Sequence, residues 1–239
     1  MQPLISIITT TYNAQNLIEK TINSIRYQTY QNIEYIIIDG NSTDHTIDII
    51  KQNLDIITSY LSEPDKGIYD AMNKGLDKAT GDFVIFMGAG DIFYSNLTLE
   101  NVSKKINDYN TIYYGDVLLG KTRKKHWGKF NKLKICITNI CHQSIFYPKY
   151  VYNSHQYNTK YKVYADYYLN LHLFNRFKFT YIEEIITRYD LEGYSSYTKD
   201  INFEKEENTI IISEYGYTIF IISQLYRLLL KLKKWLRTI

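Results

Sequence analysis

Cysteine is scarce in this chain of 239 residues, occurring only as Cys136 and Cys141. Two thiols build no disulfide framework, and their C-x4-C spacing lacks the second ligand pair of a structural zinc site. They read as reduced thiols in a cytosolic setting. No apolar run reaches about 18 residues, so no transmembrane helix is expected. The opening stretch MQPLISIITTTYN has neither the basic start nor the cleavage site of a signal peptide. Charge of one sign is also lacking. A formal net charge of +3 is too small to argue for a nucleic-acid protein. No G-x-G-x-x-G follows the first apolar run, which argues against a dinucleotide oxidoreductase.

What is present suffices for a sizeable core. Hydrophobic residues make up 45% and charged residues a dispersed 22%, which excludes wholesale disorder. Such a chain is one large α/β domain, or a domain with an appendage. LISIITT, residues 4–10, is a near-continuous apolar and β-branched run that suits a buried parallel strand. A helix is expected from Asn16 to Tyr27, with Leu17, Ile18, Ile22 and Ile25 on one face. IEYIIID, 33–39, is a second buried strand that ends on Asp39. Gly40 then turns, Ser42 or Asp44 can cap, and a helix begins near Ile47. A short strand, IITSYL, precedes a loop marked by Pro64 and Gly67 and a helix from about Ile68 to Ala79. FVIFMGAGD, 83–91, is an apolar run that collapses into Gly-Ala-Gly and stops on Asp91. Strand and helix alternate throughout, which predicts a parallel sheet sandwiched by helices.

Beyond residue 95 the pattern loosens. LTLENVSKKIND reads as helix, TIYYGDVLLG and KHWGKF as strands, and CHQSIFYP as a strand ending at Pro148. VYADYYLNLHLF has helical spacing. KFTYI and EIITRYD are expected to pair as a hairpin, with LEGYSS as a loop, and the chain turns helix-rich from about Ile201.

Four segments in order, SIITTTYNA, QTYQNIEYIIIDGNSTDHT, EPDKGIYDAMNKG and ATGDFVIFMGAGD, resemble the family 2 glycosyltransferases. The likeness is to bacterial enzymes of capsule, O-antigen and exopolysaccharide assembly. It is strong over residues 3–95 and thinner at HQSIFYPK, YADYYL and GYSS. It implies a GT-A fold, with a Rossmann-like, mostly parallel central sheet flanked by helices; the tail after residue 200 lies outside the likeness and is read from its own pattern as a helical C-terminal extension. Residues 1–200 would form the transferase domain, 1–95 its donor half and 96–200 its acceptor half. Residues 201–239 would be the extension. The resemblance further implies a nucleotide-diphosphate sugar donor, a UDP-sugar first of all, a divalent cation (Mn or Mg) and inversion at the anomeric carbon. The acceptor would be a hydroxyl of a lipid-linked glycan, handled at the inner face of the cytoplasmic membrane.

Individual residues carry this chemistry. Asp39, at a strand end, can accept hydrogen bonds from a nucleobase or a ribose, or it can brace the turn that follows. Thr10 and Thr11 would line the same pocket. Asp65 and Lys66 precede a helix, whose N-terminus attracts phosphate. Gly90 belongs to the bare stretch that lets sugar and phosphate approach the backbone. Asp91 is all that remains of the family's D-x-D cluster, and it would touch the metal, with donor phosphates and water as further ligands. Asp166, in YADYYL, matches the family's base, which takes the proton of the acceptor hydroxyl. Locally it reads nearly as well as a helix N-cap. His142 is read as lining the site near the acceptor. Two rivals stay open: a nucleotidyltransferase, which shares the need for metal and nucleotide but would want a denser acidic or basic phosphate site than GAGD, and a catalytically silent nucleotide-sugar-binding protein, which the thinned acidic motif favours.

Two basic stretches remain. KTRKKHWGKFNKLK, 121–134, has seven Lys/Arg, but Trp127 and Phe130 are too sparse for a base-stacking platform. It reads as a solvated strand face or as a contact to anionic lipid. In the C-terminal stretch, Leu225, Leu228, Leu229, Leu232, Trp235 and Leu236 share a helical stripe. Arg227, Lys231, Lys233, Lys234 and Arg237 fill much of the remainder. A basic amphipathic helix with a Trp suits a membrane interface, and equally a helix packed on the domain or a dimer helix.

Overall fold

The buried runs pair into a single mixed sheet in the computed structural model, which describes residues 2–119, 125–126, 128–189 and 198–236. Trp127, Lys121 to Lys124, the GYSS segment and Arg237 lie outside the described residues. The first half alternates as expected: β1 (Ile5–Thr11), α1 (Ile18–Arg26), β2 (Ile33–Asp39), α2 (Thr46–Gln52), β3 (Ser59–Ser62), α3 (Ile68–Lys78) and β4 (Phe83–Gly88). There follow β5 (Ile92–Phe93), α4 (Thr98–Lys105), β6 (Ile112–Leu119), β7 (Lys125–His126) and α5 (Lys132–Ile135). A 3-10 turn at His142–Ser144 leads into β8 (Ile145–Pro148). The described chain closes with α6 (Lys149–Tyr152), α7 (Ala165–Arg176), β9 (Phe179–Tyr189) and α8 (Ile201–Leu236).

Strand order is β3-β2-β1-β4-β8-β6-β9-β5, with β7 on β6. β3, β2, β1 and β4 are mutually parallel, which demands cover on both faces. One face buries Ile5, Ile7 and Ile37 against Ile18, Ile22 and Ile25 of α1. The other buries Ile8, Ile36 and Ile38 against Met72 and Leu76 of α3. Full burial of each such side chain stabilises the fold by about 2 kcal/mol. Beyond β4 the sheet is mixed. β8 runs antiparallel to both β4 and β6, while β9 is parallel to β6.

Three sequence expectations are corrected. KFTYI and EIITRYD do not form a hairpin; they are the continuous strand β9. No Gly, Pro, Asn or Asp lies between Phe179 and Tyr189 to make a turn, and the pairing with β6 absorbs the Glu183–Glu184 pair in a bulge instead. The first half of CHQSIFYP is the 3-10 turn rather than strand. Lys132–Ile135 is a helical turn, capped by the Asn131 side chain accepting from Lys134 N–H, not a strand face. The helix-rich tail holds a reversal: α8 is broken at Gly216 (φ 79°, ψ 165°), a backbone geometry that is essentially glycine's alone. Residues 201–215 and 217–236 fold back on each other, so Arg227 donates to Glu207 at 2.6 Å. Twenty residues of straight helix would separate them by about 30 Å.

The order β3-β2-β1-β4 contains a switch point between β1 and β4, where sheet growth changes direction. In open α/β sheets the crevice beyond the carboxyl ends of such strands is where ligands sit. Thr11 is in register with Asp39, and Thr10 with Gly88. The ends of β2, β1 and β4 therefore share one edge, with Asp39 and Gly88 two strand spacings, about 10 Å, apart.

Candidate functional site

Two loops overhang this edge and are stitched together. Asn13 and Asn41 both take positive φ, 47° and 66°, which Asn tolerates better than most residues. Asn13 N–H donates to Ser42 Oγ at 2.8 Å, and its Oδ1 accepts from Thr43 N–H at 2.9 Å. Asp44 Oδ2 accepts from Gln15 N–H at 3.1 Å, while Gln15 Oε1 accepts from His45 N–H at 3.0 Å. Polar residues of TYNAQ and GNSTDHT thus satisfy each other's backbone across the two loops.

Asp39 is fully buried beneath this brace. Its Oδ2 accepts from Ser42 N–H at 2.9 Å and Ser62 Oγ at 2.7 Å, and its Oδ1 accepts from Ser42 Oγ. The carboxylate fixes the turn after β2 and the end of β3, so the turn-bracing role is real. Next to it, Gly40 gives Asp65 room: a Cβ on Gly40 would sit 2.5 Å from Asp65 Oδ2 and 3.3 Å from the Tyr12 ring. Asp65 Oδ1 also accepts from Gly67 N–H at 2.8 Å, just before α3. Lys66 is exposed, and its backbone N–H donates to Asp70 at 3.0 Å. Thr10 and Thr11 are buried. Thr11 Oγ1 has no hydrogen-bond partner among the described residues.

Beyond β4 the chain makes a tight turn. Asp91 N–H returns to the Gly88 carbonyl at 3.0 Å, and Gly90 takes φ 104°. Thr21 of α1 clamps the turn, accepting from Gly90 N–H at 2.8 Å and donating to the Asp91 carbonyl at 2.9 Å. The Asp91 carboxylate is buried, with Oδ2 accepting from Gly88 N–H at 2.8 Å and from Gln143 Nε2 at 3.2 Å.

Gln143 belongs to the 3-10 turn, and its predecessor His142 faces the other carboxylate. His142 Nδ1 lies 3.1 Å from Asp166 Oδ2, which also accepts from Asn139 Nδ2 at 2.9 Å. Asp166 Oδ1 accepts from Tyr167 N–H at 2.7 Å. The Tyr69 hydroxyl, 3.0 Å from Oδ1 and 2.6 Å from the Val163 carbonyl, shares one proton between them. Asp166 stands in the first turn of α7. Burial and the neighbouring Asp166 charge hold the Tyr69 phenol well above its usual range. Burial, with the charges of Asp166 and Asp91, pushes the Cys141 thiol up to about 12. One thiol therefore feels both carboxylates.

The structure gathers the sequence-named residues into two adjoining groups. Thr10, Thr11, Asp39, Asp65 and Gly40 line the β1–β2–β3 end, and Gly90, Asp91, His142 and Asp166 line the β4 end. Lys66 sits on the rim. Sequence reasoning missed Thr21, Tyr69, Asn139 and Gln143, all of which hold these groups through partners distant along the chain. Only Gln143 carried a signal, as the neighbour of His142. Among the described residues no group of three or more His, Cys, Asp and Glu side chains could hold a metal. The donor set offered is the single hard carboxylate of Asp91. It fits a cation whose other ligands are phosphate and water oxygens.

A family model described as Glycosyl transferase family 2 matches residues 6–181. A PGL/p-HBAD biosynthesis glycosyltransferase of Mycobacterium bovis is 34% identical over 220 residues, spanning 89% of this chain and 82% of the relative. An uncharacterized glycosyltransferase of Haemophilus influenzae is 42% identical over 101 residues, 41% of this chain and 40% of the relative. Among solved structures, S. aureus TarS in complex with UDP-GlcNAc superimposes with a TM-score of 0.75 at 18% identity, over 88% of this chain and 66% of that one. Mannosyltransferase PcManGT from Pyrobaculum calidifontis, in complex with GDP-Man and Mn2+, gives 0.65 at 16% identity, over 93% and 74%. Their common fold is the GT-A arrangement expected from the sequence.

Proposed function

The chain belongs to glycosyl transferase family 2, and on that footing we propose that it moves one sugar from a UDP-sugar to a hydroxyl of a lipid-linked glycan, with inversion. The supporting observation is the single 3-10 turn whose consecutive residues touch Asp166 and Asp91. Nucleotide-sugar complexes of the structural neighbours support the donor class. The glycolipid relative supports a lipid-borne acceptor, which would put the enzyme at the inner face of the cytoplasmic membrane.

In this reading the donor nucleoside lies over Thr10, Thr11 and Asp39, with Asp65 and Lys66 at its rim. The diphosphate lies toward Gly90 and Asp91. A divalent cation held by Asp91 would neutralise charge on the departing nucleoside diphosphate. The acceptor oxygen attacks the anomeric carbon from the face opposite the phosphate. The bond to phosphate breaks, the bond to the acceptor forms, and the hydroxyl proton passes to Asp166. The contacts from Tyr69, Tyr167, Asn139 and His142 orient that carboxylate, and His142 lines the acceptor side.

Asp166→Asn should cut turnover roughly 10²–10⁴-fold while donor binding is kept. Lost donor binding would instead make Asp166 a nucleotide contact. Asp91→Asn should abolish transfer with the fold intact, and unchanged turnover would remove the metal role. The donor is identified by which nucleotide sugar raises the melting temperature, with and without Mn2+. The lone acidic residue of the metal motif favours a second reading, a silent nucleotide-sugar-binding protein. A donor-induced rise in melting temperature without slow donor hydrolysis would select it.

A further inference from the structure

The reversal at Gly216 has an outward consequence that the transfer reaction does not use. The segment 217–236 packs on the domain through one face as far as Arg227, and every described residue from Leu228 to Leu236 is exposed. Ser223 is buried, Ile219 and Phe220 are half-buried against the core, and Arg227 reaches the Cys136 carbonyl at 2.7 Å and Glu207 at 2.6 Å. At 100° per residue, Tyr217, Ile221, Leu225, Leu228, Leu232, Trp235 and Leu236 fall together on the opposite side. All are exposed, Tyr217 at 70% and Trp235 at 60%. The stripe runs the length of the segment, about 30 Å. A soluble helix turns such a stripe inward; here it points away from the protein.

Charge decides what covers it. No Asp or Glu occurs after Glu214, while Lys231 and Lys233 flank the stripe and Lys234 follows. Three acidic residues of the preceding segment are engaged: Glu206 with Lys160, Glu207 with Arg227, and Glu214 with Arg176 and His172. A parallel symmetric partner would bring Lys231 and Lys233 against their own copies. The apolar face is also broad, with Ile222, Tyr226 and Leu229 widening it beyond the narrow seam of a coiled coil. No helix among the described residues is long and apolar enough to cross a membrane. We propose that 217–236 is an in-plane docking helix for an anionic lipid surface, its leucines and Trp235 in the acyl boundary and its lysines at the headgroups. Arg227 lies 3.4 Å from the hydroxyl of Tyr167, which follows Asp166. The docking helix is therefore fastened beside the start of α7.

The test uses the full chain and vesicles, without donor or acceptor, so it stands apart from the transfer reaction. Flotation with phosphatidylcholine vesicles containing phosphatidylglycerol should carry the protein up, and pure phosphatidylcholine should carry much less. Leu228→Gln with Leu232→Gln, both exposed, should lower partitioning about a hundredfold at an unchanged melting temperature. Lys231→Glu with Lys233→Glu should cost at least fivefold per site on anionic vesicles only. The proposal is overturned if the protein stays below the gradient with anionic vesicles at low salt. Uptake that ignores the leucine substitutions overturns it equally. Sedimentation that finds a dimer dissociated by those substitutions, without vesicle uptake, assigns the face to a second copy instead.

Discussion

Gln143 offers the sharpest handle on the proposed centre, because its amide touches the Asp91 carboxylate at 3.2 Å and both residues are 5% exposed. Gln143→Leu keeps the bulk and deletes a donor to a buried charge. A hydrogen bond to a charged group contributes about 1.5–3 kcal/mol, so the melting temperature should fall by about 3–12 °C for a chain of this size. Turnover should drop about 10–100-fold, the usual effect of releasing a metal-facing carboxylate from its outer support. Gln143→Glu goes further and sets a second carboxylate against the first. Two such groups share a proton, so one pKa rises above its unfolded value. The stability linked to that proton is present at low pH and is lost as pH rises through the raised pKa. The variant should therefore melt near wild type at pH 5 and well below it at pH 8. Saturating Mn2+ at pH 8 should restore about 2.7 kcal/mol at a hundred times its Kd, by binding only the folded state. Scanning calorimetry at both pH values, with and without Mn2+, reads each part. Should Gln143→Leu melt within a degree of wild type at full turnover, or Gln143→Glu gain nothing from Mn2+, the pairing of these residues around a cation is wrong.

Two further outcomes are expected. Gly216→Ala forces a Cβ into φ 79°, ψ 165°, and should cost about 1–3 kcal/mol and speed tryptic cleavage after Arg227 as the Glu207 pair loosens; an unchanged melting curve and digest would mean the reversal needs no glycine. Thr11→Val deletes the unpartnered Oγ1, so the free protein should gain about 1 kcal/mol while UDP-sugar affinity falls several-fold. Undiminished affinity would take Thr11 out of the donor contacts.

Much of the first half was legible because its signals are local. Continuous β-branched runs announced the parallel strands, and the small and acidic residues at their ends announced the crevice. β9 runs on where a hairpin is expected: its residues contain no turn former, and the bulge takes up the two glutamates in mid-run. Gly216 was in plain view, but one glycine in a helical pattern does not say whether the helix bends or reverses. The contacts of Tyr69 and Asn139 with Asp166 span 97 and 27 residues, and no periodicity encodes pairings fixed by strand order. Of the basic stretch, Lys125–His126 is strand as expected, while Lys132–Ile135 is a helical turn. Lys134 lies 4.4 Å over the Phe130 ring, a local cation–aromatic contact that composition alone presents as a charged surface.

The brace between the 12–15 and 40–45 loops bears on the speed of capture. Each overhanging strand end is already held by the other's side chains, so an arriving molecule finds a floor that has no ordering left to do. Encounter there should proceed at the ordinary pace of docking to a preformed surface, about 10⁵–10⁷ M⁻¹s⁻¹, with discrimination expressed in how long the visitor stays.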